Sequence, residues 1–574
     1  MNRGVLVKLS DTFPKLLAAL SIRSFSNRPS GFVVVTNDDE QVVGVVTDAD
    51  VRKFFASHTE SPSTVSEIVN RDFVWVYGKQ KEEVNPIDIA RRISERGWRT
   101  EHPVRFVPVL DEGFRLVHLV DTYDFQHEFR RMRDQIVVVG LGYVGLTLLL
   151  AIGQSGRHVI GIDNNQELLD KLRIGQSPIY EEGIDEALQA CIAKNTYFTS
   201  DITEITVRSG VSRTFIICLP TPLNNFADKK LDISSLMEFA RDLANQLQQG
   251  DTIVMRSTVP VGTGRNIVNE IEGIRNWIVG HDFYFVQAPE RTVEGKALRE
   301  ILDLPQVIGG ATAACLERGL DLFQDLSRVL LPVSSIEVAE IVKIAGNAFR
   351  DYTFAFANYL SLFASQYNVD VNEVIEKSNY GYPRSTIPLP SPGVGGPCLT
   401  KDPYLLHIED HVFSPIQVAR QFNETIPQEI CKLLERYIEV ESCGLCIGMA
   451  FKGEPPTKDI RNSTGIEIYS LIAKKFRELH QWDAVIDHRD LSKGISSEQL
   501  LAVKNLNFFA ILNNHVVNSI LAKSVIIRQQ TSKMVLFDPW RLLDDKALFD
   551  NSQFCQMTYI SMSHVKVYER NVSN

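Results

Sequence analysis

The chain has 574 residues, with 60 Lys or Arg against 71 Asp or Glu, and its formal net charge is -11. At about 150 residues per domain this length predicts three or four domains, and a mildly acidic chain without a basic run is not expected to bind nucleic acid. Its eight cysteines lack framework spacing and its first residues lack a signal-peptide pattern, so we expect a cytoplasmic protein.

The first 130 residues contain an internal repeat of two short strands and a helix. Residues 32–36 and 42–46 are predicted strands joined by a turn, and Thr47 or Asp48 begins a predicted helix. Residues 104–110 and 116–120 repeat the two strands, and Asp121 begins the second helix. The pattern predicts an α+β module over residues 1–130.

This repeat resembles a tandem pair of cystathionine-β-synthase-type (CBS) domains, in which a strand leads into a Thr-x-x-Asp motif. Thr47 and Asp50 match the motif, whereas the second copy has Asp121 in place of Thr, followed by Asp124. The resemblance implies that Thr47, Asp50 and Asp124 contact an adenine nucleotide. The alternative is that Thr47 and Asp50 only cap a helix, and the sequence leaves both open.

Further along, strands and helices alternate in two separate stretches. Predicted strands at 135–139, 159–162, 214–218, 252–255 and 284–287 indicate a parallel sheet with helices on both faces. Long helical periodicity follows between 336 and 376, and a second alternation starts at 445, with a predicted helix at 464–479 and strands at 484–486, 507–512 and 535–537.

The resulting prediction is an α/β protein with two Rossmann-like doubly wound domains joined by a helical dimerisation region and preceded by the α+β pair. We place the pair at 1–130, a dinucleotide-binding domain at 134–330, the helical region at 331–435 and the second Rossmann-like domain at 436–565. The apolar helix at 341–363 is predicted to lie in the core or to join subunits in a homodimer or higher oligomer.

A glycine-rich turn follows the first strand of the dinucleotide-binding domain. Residues 140–145 read Gly-Leu-Gly-Tyr-Val-Gly, and Asp163 ends the next strand. Gly140, Gly142 and Gly145 would bring the backbone to a pyrophosphate together with Tyr143 and Val144, and Asp163 would bond the ribose, which favours NAD over NADP. The same glycines interrupt an uncharged run at 136–152, where we expect no membrane span.

Cys398 ends a loop rich in glycine and proline at 391–404, with Lys401 and Asp402 close behind it. A neighbouring cation favours thiolate over thiol, and a carboxylate within reach can handle protons or water. A buried cysteine beside an ordinary turn is the alternative. Combined with an NAD site, a reactive cysteine points to oxidation of an aldehyde through a thiohemiacetal and a thioester.

Four further segments, 256–263, 288–295, 340–350 and 450–463, together with the cysteine loop resemble the motifs of the nucleotide-sugar (UDP-glucose/GDP-mannose) dehydrogenase family. The resemblance implies oxidation of the C6 hydroxyl of a UDP-sugar to a carboxylate, with reduction of two NAD. The Pro289-Glu290-Arg291 triplet resembles the branch acting on UDP-N-acetylhexosamines, N-acetylmannosamine or N-acetylglucosamine, whereas Pro397 replaces the His common there.

The resemblance also implies roles for single residues. Cys398 is the expected nucleophile, Lys343 and Asn347 stabilise the oxyanion, Asp402 and Thr258 activate water, and Glu290 shares the proton transfer. Expected contacts of the cofactor are Thr221, Thr258, Glu294 and Arg461. Expected contacts of the substrate are Lys343, Asn347, Gly393, Gly395, Gly396, Lys452 and Arg541.

Two other functions stay open. One is UDP-glucose 6-dehydrogenase, in the same class of enzyme. The other is a regulatory or binding protein that keeps the fold without turnover. No metal site is expected, because Cys443 and Cys446 have the spacing of a metal pair but no second pair beside them in the sequence.

Overall fold

The structure, a computed structural model, describes residues 6–21, 31–58, 60–78, 89, 92, 106–121, 134–194, 196–205, 212–223, 229, 231–384, 386–406, 408, 413–439 and 442–570. Two compact units form, one covering Met1–Gln135 and Val207–Ser212 and the other covering Ile136–Thr206 and Arg213–Asn574. No helix among the described residues is long and apolar enough to cross a membrane.

The first unit repeats one three-stranded sheet. In each sheet the first strand runs parallel to the second, and the second and third form an antiparallel hairpin; the orders are β1-β2-β3 and β4-β5-β6. The elements are β1 (Leu6–Lys8), α1 (Phe13–Leu20), β2 (Phe32–Thr36), β3 (Val42–Thr47), α2 (Asp48–Ser57), β4 (Val76–Tyr77), β5 (Phe106–Leu110) and β6 (Leu116–Asp121).

The two hairpin turns are built in the same way. Asn37 Oδ1 accepts hydrogen bonds from the N–H groups two and four residues later, and Asp111 Oδ1 does the same in the second hairpin. Glu40 and Phe114, at equivalent positions, have φ of 61° and 60°. The repeat read from the sequence is therefore present in the backbone as well.

The second unit begins with an eight-stranded sheet of order β14-β13-β12-β11-β10-β7-β8-β9. β13 is antiparallel to β12 but parallel to β14. The strands are β7 (Asp134–Val139), β8 (Val159–Ile162), β9 (Thr196–Thr199), β10 (Ser212–Ile217), β11 (Thr252–Met255), β12 (Tyr284–Gln287), β13 (Gln306–Gly310) and β14 (Leu330–Val333). Their helices are α3 (Tyr143–Gln154), α4 (Gln166–Arg173), α5 (Ile184–Ile192), α6 (Ser234–Gln246), α7 (Thr263–Arg275), α8 (Ala297–Asp303) and α9 (Ala313–Phe323).

Side chains alternate between the two faces of this sheet. Ile136 and Val138 point into one apolar cluster, and Val137 and Val139 into another. Both faces are thus buried against helices, as an open parallel sheet requires.

A helical region follows, consisting of α10 (Ile336–Gln366), α11 (Val371–Asn379) and α12 (Pro415–Leu434). The cysteine loop lies in the sequence between α11 and α12. α10 packs along α12 and begins at Ser335, whose hydroxyl accepts from the N–H of Val338.

The chain ends in a six-stranded sheet of order β16-β15-β17-β18-β19-β20, parallel except for β20. Its elements are β15 (Ser442–Ile447), α13 (Thr464–Ile472), β16 (Phe476–Trp482), α14 (Ser497–Ala502), β17 (Phe508–Ile511), α15 (Val516–Ile527), β18 (Lys533–Phe537), α16 (Asp545–Asp550), β19 (Gln556–Ile560) and β20 (Val565–Glu569).

One predicted helix is too long in this last sheet. The helix expected over 464–479 ends at Ile472, and Phe476–Trp482 forms β16, so the strand expected at 484–486 is wrong. The physical reason is pairing, since Leu479 lies opposite Gly444 of β15 and becomes buried there. The internal boundaries at 331 and 436 stay predictions.

Candidate functional site

The glycine-rich turn joins β7 to α3. Gly140 has φ of 86°, and a Cβ there would lie 2.8 Å from the carbonyl oxygen of Cys218. A Cβ on Gly145 would lie 1.8 Å from the carbonyl oxygen of Gly140. The close approach of α3 to the end of β7 is possible only because Gly140 and Gly145 have no side chains. A Cβ on Gly142 would meet nothing within 4 Å. This open space beside free helix N–H groups fits a pyrophosphate.

Asp163 follows β8 and lies beside this turn. Its Oδ2 accepts from the N–H of Leu141 at 2.7 Å, and its Oδ1 accepts from the N–H of Asn165 at 2.9 Å. A carboxylate has about four acceptor positions, so about two remain for ribose hydroxyls. The turn and Asp163 together fit NAD.

Tyr143 turns its hydroxyl away from the open side of the turn. It donates to Glu181, and the N–H of Gly295 donates to the Tyr143 oxygen at 2.7 Å. The backbone of Tyr143 and Val144 therefore lies at the start of α3, while the Tyr143 side chain connects to the segment that carries Glu294. No motif in the sequence indicated a role for Glu181.

Polar side chains of α10 and α12 bind the cysteine loop through hydrogen bonds. Arg420, which is 1 % exposed, donates from Nη1 to Asp351 Oδ1 at 2.7 Å. The same guanidinium donates to the carbonyl oxygens of Leu399 (3.3 Å) and Val394 (3.2 Å) on the loop. Burial raises the pKa of Asp351 to about 6, although Arg420 opposes that shift.

Two asparagines extend this network. Asn423 donates to Asp351 Oδ1 and to its carbonyl oxygen, and Asn358 donates to Asn423 and accepts from the N–H of Ser391 at 2.9 Å. Sequence reasoning missed these residues. The signal was available, because Arg420 and Asn423 lie at helical spacing with the apolar Ile426 and Ile430.

The three glycines of the loop pack closely against other segments. A Cβ on Gly393 would lie 2.7 Å from the Thr464 side chain, one on Gly395 would lie 2.3 Å from the Asn462 carbonyl oxygen, and one on Gly396 would lie 2.7 Å from the Phe451 ring. Protein atoms thus fill the space on the side where each side chain would stand, and the contact of the glycine backbone with a sugar stays a prediction. Their small size lets the loop pack against the C-terminal segment 451–464.

Cys398 is exposed at the surface of this loop. The protein atoms around its sulfur raise the pKa of the thiol; Lys343 and Lys401 lower it without reversing the shift, and Asp402 raises it further. The two lysines therefore favour the thiolate, but desolvation outweighs them in the protein alone, and the role of Cys398 as nucleophile stays a prediction.

Asn347 and Asp402 meet directly beside the cysteine. Asn347 Nδ2 donates to Asp402 Oδ2 at 2.6 Å, and the N–H of Asp402 donates to the Cys398 carbonyl oxygen at 2.9 Å. Asp402 is fully buried, and its Oδ1 accepts no hydrogen bond from a described residue. Lys343, one helical turn before Asn347, forms no ion pair within the described part of the chain, but its charge acts on Cys398 and on Glu290.

Lys401 joins this group to the dinucleotide-binding domain. Its Nζ lies 3.7 Å from Asp402 Oδ1 and donates to Thr221 Oγ1 at 3.0 Å. Thr221 Oγ1 in turn donates to the carbonyl oxygen of Thr258 at 2.7 Å. The structure therefore brings Thr221 and the carbonyl group of Thr258 to the cysteine loop, while their contacts with the cofactor stay predictions.

Glu290 is unsuited to the expected proton transfer. It forms an ion pair with Arg256, and its Oε1 accepts from the N–H groups of Arg291 and Thr292, each at 2.7 Å. Burial by itself would raise the pKa of Glu290, but Arg256 and the backbone N–H groups lower it to about 2. A carboxylate so strongly held as an anion is a poor base near neutral pH.

Glu294 has the opposite character. Burial and the charge of Asp459 raise its pKa to about 7, while Lys452 and Arg461 oppose that shift. Lys452 Nζ donates to the Glu294 carbonyl oxygen at 2.5 Å, and burial lowers the pKa of Lys452 to about 8. Arg461 forms a two-pronged ion pair with Asp459, and its charge interacts with Glu294 and Cys398.

Arg541 lies apart from this group. Arg541, with φ of 51°, donates to Asp370 Oδ2 at 2.5 Å, next to α11. Thr47 and Asp50 form a capping box at the start of α2, in which Asp50 Oδ2 accepts from the Thr47 hydroxyl at 2.6 Å. The capping alternative thus has direct support, and Asp124 lies outside the described residues.

Comparison with known proteins identifies the family. Residues 134–327 match the NAD binding domain of the UDP-glucose/GDP-mannose dehydrogenase family, residues 337–425 match its central domain, and residues 5–57 match the CBS domain. The UDP-N-acetyl-D-mannosamine dehydrogenase of Pyrococcus horikoshii is 32% identical over 380 residues, which are 64% of this chain and 88% of the relative. An NDP-N-acetyl-D-galactosaminuronic acid dehydrogenase of Ralstonia nicotianae is 31% identical over 350 residues, 59% of this chain and 80% of the relative.

Solved structures give the same answer for the fold. The UDP-D-ManNAc dehydrogenase of P. horikoshii superposes with a TM-score of 0.66 at 28% identity, over 75% of this chain and 99% of the other. The UDP-N-acetyl-mannosamine dehydrogenase Cap5O of Staphylococcus aureus has a TM-score of 0.64 at 28% identity, over 75% and 98%. The predicted fold class and the NAD cofactor are confirmed. The chain belongs to the UDP-glucose/GDP-mannose dehydrogenase family and is an NAD-dependent nucleotide-sugar dehydrogenase with an N-terminal CBS domain.

Proposed function

We propose that the chain oxidises the C6 hydroxyl of a UDP-N-acetylhexosamine to the carboxylate, with UDP-N-acetylmannosamine as the preferred sugar and UDP-N-acetylglucosamine as the second choice. The observation that carries this proposal is the grouping of Cys398, Lys343, Asn347 and Asp402 around one loop that touches both the cofactor domain and the C-terminal domain. The names of the relatives support the sugar class.

Each oxidation needs a group that stabilises negative charge on the sugar oxygen. Lys343 supplies the cation and Asn347 a second donor, since they lie four residues apart on α10 and share a face. NAD, when bound, accepts a hydride in each of the two oxidations. Cys398 adds to the aldehyde between them, so the second oxidation leaves a thioester.

Hydrolysis of the thioester needs an oriented water. Asp402 has one carboxylate oxygen bound to Asn347 and one without a hydrogen-bond partner among the described residues, and the second is the acceptor that holds the water. Thr258 completes the position from the cofactor side. Glu290 stays ionised and acts on Lys343 through its charge rather than as a base.

The raised pKa of Cys398 gives Lys343 a further task. Because the protein atoms around the sulfur disfavour the thiolate, the thiol proton must leave as the sulfur attacks the aldehyde carbon. It passes to the aldehyde oxygen, which becomes the hemithioacetal hydroxyl, and Lys343 stabilises the negative charge on that oxygen during the transfer. Loss of the Lys343 charge would raise the thiol pKa further. Lys343 therefore acts on the nucleophile as well as on the sugar oxygen.

The substrate is held at the seam between the two Rossmann-like domains. Lys452 binds a phosphate of UDP as a point charge. Arg541 leaves its ion pair with Asp370, the residue before α11, and then also binds the substrate. Pro397 leaves the position before the cysteine without an acid or base, so any such role falls to Glu294 or Asp402. UDP-glucose is the rival substrate.

Two assembly features belong to the same proposal. An exposed apolar stripe runs along α10 at helical spacing, comprising Ile341, Phe349, Tyr352, Phe356, Tyr359, Phe363 and Tyr367. A stripe this long is expected to be covered, and we assign it to a second copy of the chain in a homodimer or higher oligomer. The CBS module, through Thr47 and Asp50, binds an adenine nucleotide that adjusts activity.

Purified protein incubated with NAD and each UDP-sugar tests the proposal. We expect two NADH per molecule of UDP-N-acetylmannosamine and less product from UDP-glucose. Cys398→Ser should form no net acid, since an oxygen ester is not made in place of the thioester; full acid production by that variant would contradict the covalent mechanism. No NADH with any sugar would favour the silent regulatory protein, and unchanged kinetics with AMP, ADP and ATP would contradict the nucleotide role.

A further inference from the structure

Glu181, in the loop between α4 and α5, connects parts of the molecule that are far apart in the sequence. It is 6% exposed, and its carboxylate accepts from the Tyr143 hydroxyl, from the N–H of Gly295 at 2.9 Å and from the N–H of Leu298 at 3.3 Å. Tyr143 belongs to the glycine-rich turn, and the other two donors belong to the segment after β12.

The Tyr143 hydroxyl closes this connection. It donates to Glu181 and accepts from the same Gly295 N–H at 2.7 Å, so the three groups form a compact triangle. Burial and the Glu181 carboxylate raise the pKa of Tyr143, so the hydroxyl stays protonated and remains a donor. A buried carboxylate that accepts three neutral donors is satisfied without a cation.

From Gly295 the connection continues into the C-terminal domain. The Glu294 carbonyl oxygen accepts from Lys452 Nζ at 2.5 Å, and a Cβ on Gly295 would lie 2.5 Å from the Pro456 carbonyl oxygen. The segment that Glu181 holds is thus pressed against the chain that carries Lys452. One carboxylate therefore lies between the cofactor turn and the phosphate-binding lysine.

We propose that Glu181 is a positioning residue that makes the cofactor turn and the Lys452 segment one unit, so that NAD and the nucleotide part of the substrate bind cooperatively. The inference rests on the proposed role of Lys452. NAD that orders the turn also orders the segment through Tyr143 and Glu181, and by linkage UDP must tighten NAD to the same extent.

Binding of NAD and UDP to the full-length protein tests this, because the pair cannot react. Titration calorimetry of UDP with and without saturating NAD should show a gain in wild-type affinity of about fivefold or more. Glu181→Gln should abolish the gain while each ligand alone binds within about threefold of wild type, and Tyr143→Phe should abolish the gain as well. If Glu181→Gln fails to fold, Tyr143→Phe decides, since it removes only a hydroxyl.

Glu300→Gln is the matched control. Glu300 accepts from the N–H of Val293 at 2.7 Å and so holds the same segment, but not through the glycine-rich turn. It should keep the wild-type gain. Independent binding of NAD and UDP by the wild type, an undiminished gain in Tyr143→Phe, or an equal loss in Glu300→Gln would each overturn the inference. Absence of UDP binding by the wild type would overturn the proposed substrate class as well.

Discussion

Replacing Arg420 by Met tests whether the reactive cysteine depends on one buried guanidinium. The wild-type side chain donates to the Asp351 carboxylate and to two carbonyl oxygens of the cysteine loop, at Val394 and Leu399. Met fills a similar volume but donates nothing. The change leaves Asp351 buried without its cation and leaves the loop without two of its donors.

The magnitude follows from the burial of both partners. Arg420 is 1% and Asp351 0% exposed, and removing one partner of such a buried pair costs about 3–5 kcal/mol. In domains of about 150–250 residues, each kcal/mol of lost stability lowers Tm by about 2–4 °C, so we expect Tm to fall by roughly 6–20 °C. Since desolvation already raises the pKa of Asp351 to about 6, the variant should protonate Asp351 near neutral pH, which brings the loss toward the lower end.

Differential scanning fluorimetry and the rate of NADH formation measure the outcome. Turnover should fall with stability, because the loop carries Cys398, and alkylation of Cys398 by iodoacetamide should change in rate. Lys432→Met on the same helix is the control; its exposed pair with Glu429 should contribute less than about 1 kcal/mol. A variant at position 420 that melts within about 2 °C of wild type and keeps its turnover would refute the reasoning.

Three further predictions concern the seam. Glu294 has a pKa raised from 4.5 to about 7, so the folded protein loses stability as Glu294 ionises between these two pH values. Glu294→Gln cannot ionise, so its Tm should rise relative to that of the wild type between about pH 5 and pH 8. Lys452 loses its charge as pH rises through about 8, so UDP affinity measured by calorimetry should fall there, whereas Lys452→Arg should show a flat profile. Gly395→Ala forces a Cβ toward the Asn462 carbonyl oxygen and should cost about 1–3 kcal/mol and lower turnover, while Gly273→Ala, with nothing within 4 Å, should do neither.

The cofactor site could be predicted from the sequence because its residues lie close together in the chain. Three glycines, an apolar strand before them and Asp163 after the next strand are all within 30 residues, and each requirement is set by neighbours in the chain. The hairpin repeat was readable for the same reason, since Asn37 and Asp111 bond N–H groups two and four residues away. In such cases the residues that form the sequence pattern are also the residues that contact one another.

Contacts between distant segments were not readable in this way. Arg420 reaches a loop 21 and 26 residues earlier, and Glu181 meets Gly295 across 114 residues. The sign of the Cys398 pKa shift was also beyond the sequence, because it depends on how desolvation balances two lysines. The close packing at Gly393 and Gly396 was also beyond the sequence, because the neighbours, Thr464 and Phe451, come from a distant part of the chain.

The two Rossmann-like domains use the same backbone device with different results. In each domain, the turn after the first strand donates backbone N–H groups to an aspartate that follows the next strand. The aspartates are Asp163, after β8, and Asp483, after β16. Asp163 accepts two N–H groups and is half-buried. Asp483 is 6% exposed and accepts four, from Met449, Ala450, Val485 and Ile486.

A carboxylate offers about four acceptor positions, so Asp163 keeps about two and Asp483 keeps none. Only the first turn can therefore receive ribose hydroxyls through its acidic residue, while the second is closed by its own backbone. Under the proposed function, UDP at the C-terminal domain is therefore held by other groups, and Lys452, next to Gly453 in the loop after the same turn, is placed to supply the charge. The two turns differ in the number of lone pairs that each aspartate has left for a ligand.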